Sequence, residues 1–278
     1  MIIEMLKVLL LGIVEGFTEW LPISSTGHMI LVDDLIRLNV SAPFRELFMV
    51  VIQLGAILAV CVIYFHRLNP FSPKKTKKQK GLTIQLWIKI ICACVPAAIV
   101  GVFLDEILDQ LMNGFVVASM LLLYGVFFLL LEKRNEDAEF PIDRISRMPL
   151  STAMLIGCSQ ILAMIPGTSR SGATILCAML LGCSRELSAE FSFFLGIPIM
   201  FGASGLKILK FFLKGNMFTG AEFLYLVVGM AVAFIVSVLS IRFLMRYIKN
   251  HDFRFFGYYR IVLGVIVLVY SGITALIA

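Results

Sequence analysis

The chain predicts an all-α integral membrane protein with an inverted-topology repeat, each half a re-entrant helical hairpin followed by three transmembrane helices. Three observations lead there. Of 278 residues, 60% are hydrophobic and only 15% charged, with a mean hydropathy of +0.96; long apolar runs at that density indicate a polytopic membrane protein. Two polar islands interrupt the apolar sequence. They are Glu15-Gly16-Phe17-Thr18-Glu19-Trp20-Leu21-Pro22-Ile23-Ser24-Ser25-Thr26-Gly27-His28 and Pro166-Gly167-Thr168-Ser169-Arg170-Ser171-Gly172-Ala173-Thr174. The third observation is that the islands occupy matching places in the two halves.

The first apolar stretch, residues 1–37, is broken by Pro22 and the Ser-Ser-Thr-Gly turn. Each arm is short of the roughly 20 residues a full crossing needs, so two half-helices entering and leaving on one side are expected. A continuous span follows at about 44–66, then a strongly basic loop from Arg67 to Lys80. The chain crosses again at about 82–104, turns through a stretch with Asp105, Glu106 and Asp109 and without Lys or Arg, and returns at about 115–131. Residues 132–147 contain Lys133, Arg134, Arg144 and Arg147. The broken pattern recurs at 150–183, and three spans follow at about 189–213, 223–245 and 255–277.

The halves, 1–140 and 141–278, align. Leu11-Gly12-Ile13-Val14-Glu15 corresponds to Ile156-Gly157-Cys158-Ser159-Gln160, Ser24-Ser25-Thr26-Gly27 to Ser169-Arg170-Ser171-Gly172, and Glu46-Leu47-Phe48 to Glu190-Phe191-Ser192. Three spans per half is an odd number, so the second half is upside down relative to the first. Such repeats place polar sites near the bilayer midplane, here with the hairpins meeting tip to tip. The 24 basic against 18 acidic residues, a net +6, fit cytoplasmic loops enriched in Lys and Arg better than nucleic-acid binding. With the Arg67–Lys80 loop inside, both termini and the mouth of the first hairpin lie outside. The six cysteines sit in apolar segments without metal-ligand or CxxC spacing and read as small hydrophobes. Residues 1–12 lack a basic n-region and a clear cleavage site, so they read as part of the mature chain.

Ionisable groups at such depth are costly and mark functional sites. Glu15 and Glu19 are four residues apart and share a helix face. They are either a solvated pair at an interfacial helix end or partners in acid/base work or in holding a hard divalent cation, Mg²⁺ or Ca²⁺, together with substrate phosphate oxygens. Gln160 and Met164 stand at the equivalent places, so this chemistry is one-sided. Ser24, Ser25 and Thr26 suit an N-cap, but three hydroxyls beside Gly27 and His28 exceed what a cap requires. His28 suits a general base or a phosphate-accepting nucleophile. Arg170 pairs with a glutamate or clamps phosphate oxygens, with Ser169, Ser171, Thr174 and helix-end N–H groups around it.

The two islands closely resemble the signature motifs of bacterial undecaprenyl-diphosphate phosphatases of the bacitracin-resistance type. Their order and spacing, Glu190-Phe191-Ser192-Phe193 and the chain length extend the resemblance over essentially the whole sequence. The resemblance implies hydrolysis of the C55 isoprenyl diphosphate to the monophosphate carrier and phosphate, for envelope polymer synthesis in the bacterial cytoplasmic membrane. It also implies dependence on divalent metal and a site open to the outer side. It maps essential positions onto Glu15, Glu19, Ser25, His28 and Arg170, with Ser24, Thr26, Ser169, Ser171 and Thr174 around Arg170 as phosphate-binding groups, and leaves the nucleophile open between Ser25, His28 and water. A prenyl groove lined by Phe191, Phe193 and Phe194 is expected, and a homodimer is left open. Two rivals remain at this stage. A lipid-phosphate carrier shares the architecture but needs no one-sided acid/base equipment. A scaffold leaves Arg170 and both glutamates without a role.

Overall fold

The computed structural model describes residues 2–111 and 113–277, with the side chains of residues 30, 33, 34, 104–110 and 277 lying outside that description. Regular structure among the described residues is helical, apart from an isolated bridge between Ile142 and Cys183. The first half comprises α1 (Ile2–Thr18), α2 (Ser25–Ile36), α3 (Ala42–Val51), α4 (Gln53–Ile63), the single turn α5 (Phe65–Leu68), α6 (Lys77–Gln110) and α7 (Gly114–Arg134). The second comprises α8 (Leu150–Leu162), α9 (Arg170–Leu180), α10 (Arg185–Leu213), α11 (Gly220–Tyr247) and α12 (Arg254–Ile277).

Among the described residues, six segments are long and apolar enough to cross a membrane: Ala42–Ile63, Lys77–Phe103, Gly114–Arg134, Arg185–Leu213, Gly220–Tyr247 and Arg254–Leu276. The four remaining long elements, α1, α2, α8 and α9, form two antiparallel pairs joined by non-helical loops at 19–24 and 163–169. Helix α1 packs along α11, and α8 packs along α6. Helix α7 lies against α12, and α10 against α3 and α4. Every one of these contacts joins the first half to the second, so neither half folds around a core of its own.

Three elements differ from the expectation. The first span, Ala42–Ile63, crosses as expected but carries one tightened turn at Ile52. Helix α3 stops at Val51, and Gly55 N–H bonds back only three residues to the Ile52 carbonyl at 3.0 Å. At this tightened turn, a Cβ on Gly55 would lie 2.0 Å from the Met230 carbonyl of α11, so the close approach needs glycine. The basic loop is shorter than expected, because Lys77–Lys80 belong to the first turn of α6. Thr76 Oγ1 accepts from the Gln79 N–H at 3.3 Å and Gln79 Oε1 accepts from the Thr76 N–H at 2.9 Å. This reciprocal capping box starts the helix despite the unfavourable positive charge there. At its other end α6 continues through Gln110 instead of opening into a loop at 105; the side chains of Asp105, Glu106 and Asp109 lie outside the described residues.

The expected prenyl groove is also corrected. Phe191, Phe193 and Phe194 are fully buried. Phe193 meets Trp20 edge-on with ring centroids 5.3 Å apart, and Phe194 meets Tyr64 at 5.1 Å. This face of α10 packs on the first hairpin loop and on α4 and α5, where aromatic burial is worth more than lipid contact.

Candidate active site

The loops at 19–24 and 163–169 meet inside the bundle, and each ends in the same strained cap. Ser24 and Ser169, aligned positions, have φ of 73° and 72°, a region costing a non-glycine residue roughly 1–3 kcal/mol. Each hydroxyl accepts from the backbone N–H three residues on: Gly27 N–H to Ser24 Oγ at 3.3 Å, and Gly172 N–H to Ser169 Oγ at 3.2 Å. These caps turn the N-terminal ends of α2 and α9 toward the junction, where their unpaired N–H groups favour anions.

Arg170, the first residue of α9, reaches across to the first loop. Its Nη2 donates to Glu19 Oε1 at 3.2 Å and its Nη1 to the Ser192 carbonyl of α10 at 2.7 Å. The guanidinium sits 5.7 Å from the Trp20 ring centroid. It also lies against Gly196, where a Cβ would stand 3.0 Å from the guanidinium carbon. The other Glu19 oxygen accepts from the Ser25 hydroxyl at 2.7 Å. Glu15, one turn earlier on α1, is 1% exposed, and its Oε1 has no hydrogen-bond partner among the described residues. A buried carboxylate oxygen without a donor is costly and marks where a cation or donor would bind. The Arg170 Nε is likewise buried and unpartnered.

Thus Glu15, Glu19, Ser25 and Arg170 come together. His28 points elsewhere. Its Nδ1 lies 2.7 Å from the Ser24 carbonyl, which can only accept, so Nδ1 carries the proton and Nε2 faces the Tyr259 hydroxyl of α12 at 2.8 Å. The rings stack with centroids 5.6 Å apart. The hydroxyls first considered for phosphate binding are largely engaged. Ser171 Oγ lies near the carbonyls of Glu19 and Leu21 at 3.2 and 3.3 Å. Thr174 Oγ1 donates to the Arg170 carbonyl at 2.8 Å and lies 2.7 Å from Ser192 Oγ, while Ser169 Oγ also lies 3.0 Å from Ser171 Oγ. Ser24 is fully buried in its cap, whereas Ser25 and Thr26 are half-buried.

Sequence reasoning missed Arg260, which lies fully buried on α12. Its Nη1 donates to the Pro22 carbonyl at 3.1 Å, and its Nη2 to the carbonyls of Gly167 and Thr168 at 2.9 and 2.8 Å. Pro22 and Gly167 are aligned positions, so one guanidinium ties together equivalent points of both loops. Tyr124 flanks it, with the ring centroid 5.5 Å away. The available signal was an arginine inside the last apolar span, an expensive placement that needs a partner. Tyr259 carried no such signal, since tyrosine is ordinary in membrane helices.

Among the described residues there is no cluster of three or more His, Cys, Asp or Glu that could hold a metal ion. The donor set is two carboxylates on successive helical turns, one with an orphaned buried oxygen. That suits a hard divalent cation that completes its shell with substrate phosphate oxygens, and suits a closed, all-protein metal site poorly.

The chain matches the family model described as bacitracin resistance protein BacA over residues 8–266. It is 55% identical over 273 residues to an undecaprenyl-diphosphatase of Streptococcus thermophilus, spanning 98% of this chain and 95% of the relative. The undecaprenyl-diphosphatase of Enterococcus faecalis is 53% identical over 265 residues, 95% of this chain and 96% of its own. That of Desulfitobacterium hafniense is 54% identical over 278 residues, 99% of each.

Replacing Arg260 strands three buried carbonyls, each worth about 1–3 kcal/mol when left unsatisfied. Arg260→Met should therefore lower the thermal unfolding midpoint in detergent far more than Arg254→Met at the half-buried start of the same helix. Equal midpoints for the two variants would mean that Arg260 does not hold the loops.

Proposed function

The chain belongs to the bacitracin resistance protein BacA family, and from that membership we propose that it hydrolyses undecaprenyl diphosphate to the monophosphate carrier and inorganic phosphate. The activity regenerates carrier lipid for envelope polymers and lowers sensitivity to bacitracin. The observation that carries the reading is the contact between Glu19, Ser25 and Arg170, a carboxylate, a nucleophile and a fixed cation drawn from motifs 151 residues apart. A carrier would need a cation for the headgroup but no hydroxyl hydrogen-bonded to a carboxylate.

The architecture is read as the inverted repeat, with re-entrant hairpins at 1–37 and 150–183. Exchange of contacts between the halves supports it: α1 packs on α11 as α8 packs on α6. The ion pairs also exchange, since Glu46 of α3 meets Lys207 near the end of α10, while Glu190 near the start of α10 meets Arg67 of α5. The basic segments flanking α6 and α8 lie at one end, where Lys89 Nζ donates to the Ile145 carbonyl at 2.7 Å. The positive-inside bias assigns that end to the cytoplasm, which leaves the first hairpin opening outward in the bacterial inner membrane.

Glu15 and Glu19 would hold a divalent cation, Mg²⁺ or Ca²⁺, which supplies charge neutralisation at the phosphoryl oxygens when bound. Arg170 turns from Glu19 to the diphosphate, its planar fork matched to phosphate oxygens. The N-terminal N–H groups of α2 and α9 add positive potential. Ser25 Oγ attacks the terminal phosphorus, its proton passes to Glu19, and the anhydride bond breaks with the prenyl monophosphate leaving. Water then cleaves the seryl phosphate. His28, held through Nδ1 by Ser24, presents Nε2 and the Tyr259 hydroxyl beside the same cap.

Phosphate release from undecaprenyl diphosphate by the purified protein should stop with chelator and return with Mg²⁺ or Ca²⁺. Arg170→Ala and Glu19→Gln should each cost about 10²–10³ in kcat. Release indifferent to chelator and to both substitutions would remove this mechanism. Rapid quenching with terminally ³²P-labelled substrate should trap an acid-stable label that disappears in Ser25→Ala. An acid-labile label lost in His28→Ala would transfer the nucleophile to His28, and no label in either case would favour direct attack by water.

A further inference from the structure

At the basic end of the bundle, the segment around α5 and the start of α6 faces residues 144–146 across a cavity of about 490 Å³. It shares no residue with the Glu19–Arg170 centre. Arg67, Lys75, Lys89 and Arg144 line it, and among the described residues no Asp or Glu does. Two of the four cations are already neutralised: Arg67 pairs with Glu190, and Arg144 with Asp143, which also takes Arg147. The two lysines are not. Lys75 Nζ donates to the Arg67 carbonyl at 3.0 Å and to Thr83 Oγ1 at 2.7 Å, and Lys89 Nζ donates to the Ile145 carbonyl at 2.7 Å.

Carbonyl and hydroxyl oxygens aim an ammonium but leave its charge uncompensated. Both lysines are therefore half-buried, oriented by neutral acceptors and without a carboxylate partner among the described residues. The capped N-terminus of α6, with Lys77, Lys78 and Lys80 in its first turns, adds positive potential beside the opening. The lower wall is apolar, from Ile63, Leu82 and Leu86. Ile84 and Ile88 are 52% and 50% exposed on the outward flank of α6, where acyl chains would lie. A cationic recess at the membrane boundary that continues into an apolar flank matches a molecule with a phosphate head and a lipid tail.

We propose that this cavity binds the phosphate of an anionic phospholipid headgroup, held by the ammonium groups of Lys75 and Lys89. The same phosphate chemistry is available from free inorganic phosphate, and the tail-facing flank favours the lipid.

The test is native mass spectrometry of the full-length protein in neutral detergent, titrated with phosphatidylglycerol or phosphatidylcholine, with and without millimolar inorganic phosphate. Phosphatidylglycerol should bind on the order of tenfold more tightly than phosphatidylcholine. The preference should vanish in Lys75→Gln/Lys89→Gln and return in Lys75→Arg/Lys89→Arg, both confirmed monodisperse. Displacement of the lipid by inorganic phosphate, dependent on the same lysines, would keep the site and name free phosphate as its source. Equal binding of the two lipids by the unmodified protein would overturn the proposal. So would a preference that survives the Gln pair, or one that the Arg pair does not restore.

Discussion

Two stretches of non-helical backbone have to be buried in this protein, and Arg260 is what lets them be buried together. In an apolar surrounding every exposed carbonyl is a penalty of several kcal/mol. The loops at 19–24 and 163–169 answer it jointly: the Arg260 guanidinium takes Pro22, Gly167 and Thr168, and the Ser171 hydroxyl lies against Glu19 and Leu21. The strained caps at Ser24 and Ser169 persist because the surroundings over-determine them. Without this common clamp the helix ends on which the site depends would have no fixed relation to one another.

The clamp is nearly symmetric, and the chemistry is not. Both loops present a serine cap and a helix N-terminus, yet the carboxylates come only from the first half and the guanidinium at the centre only from the second. Gln160, at the place matching Glu15, spends its amide on the neighbourhood of Cys94 and Gly157, and Met164 replaces Glu19. The two loops thus supply two electropositive helix ends. The first copy alone adds the two carboxylates, Glu15 and Glu19. The result is a centre where opposite charges are kept close but incompletely paired, with Glu15 Oε1 and Arg170 Nε unpartnered among the described residues.

Much of this was legible in the sequence because membrane burial is unforgiving. Apolar runs gave the six spans to within a few residues at most ends, and the cost of charge at depth singled out Glu15, Glu19 and Arg170. What escaped detection has physical reasons. The Thr76-x-x-Gln79 box hid inside a charge run that reads as a solvated loop, although the capping pattern was present. The tightened turn at Ile52 goes with the approach of α4 to α11 at Gly55, a tertiary contact with no local signature. The phenylalanines of α10 suit lipid by composition, but Trp20 and Tyr64 pack against them. Tyr259 reaches His28 across 231 residues of sequence, and nothing local announces that meeting.

The central claim is that distant halves of the chain form one diphosphate-binding centre through Glu19 and Arg170. A double-mutant cycle on the affinity for a non-hydrolysable prenyl methylene-diphosphonate, using Glu19→Gln, Arg170→Gln and the pair, measures this directly. Residues acting in one network should show a coupling of about 0.5–3 kcal/mol, with the double variant binding more tightly than the single losses would add up to. Strict additivity of the two losses would contradict the account.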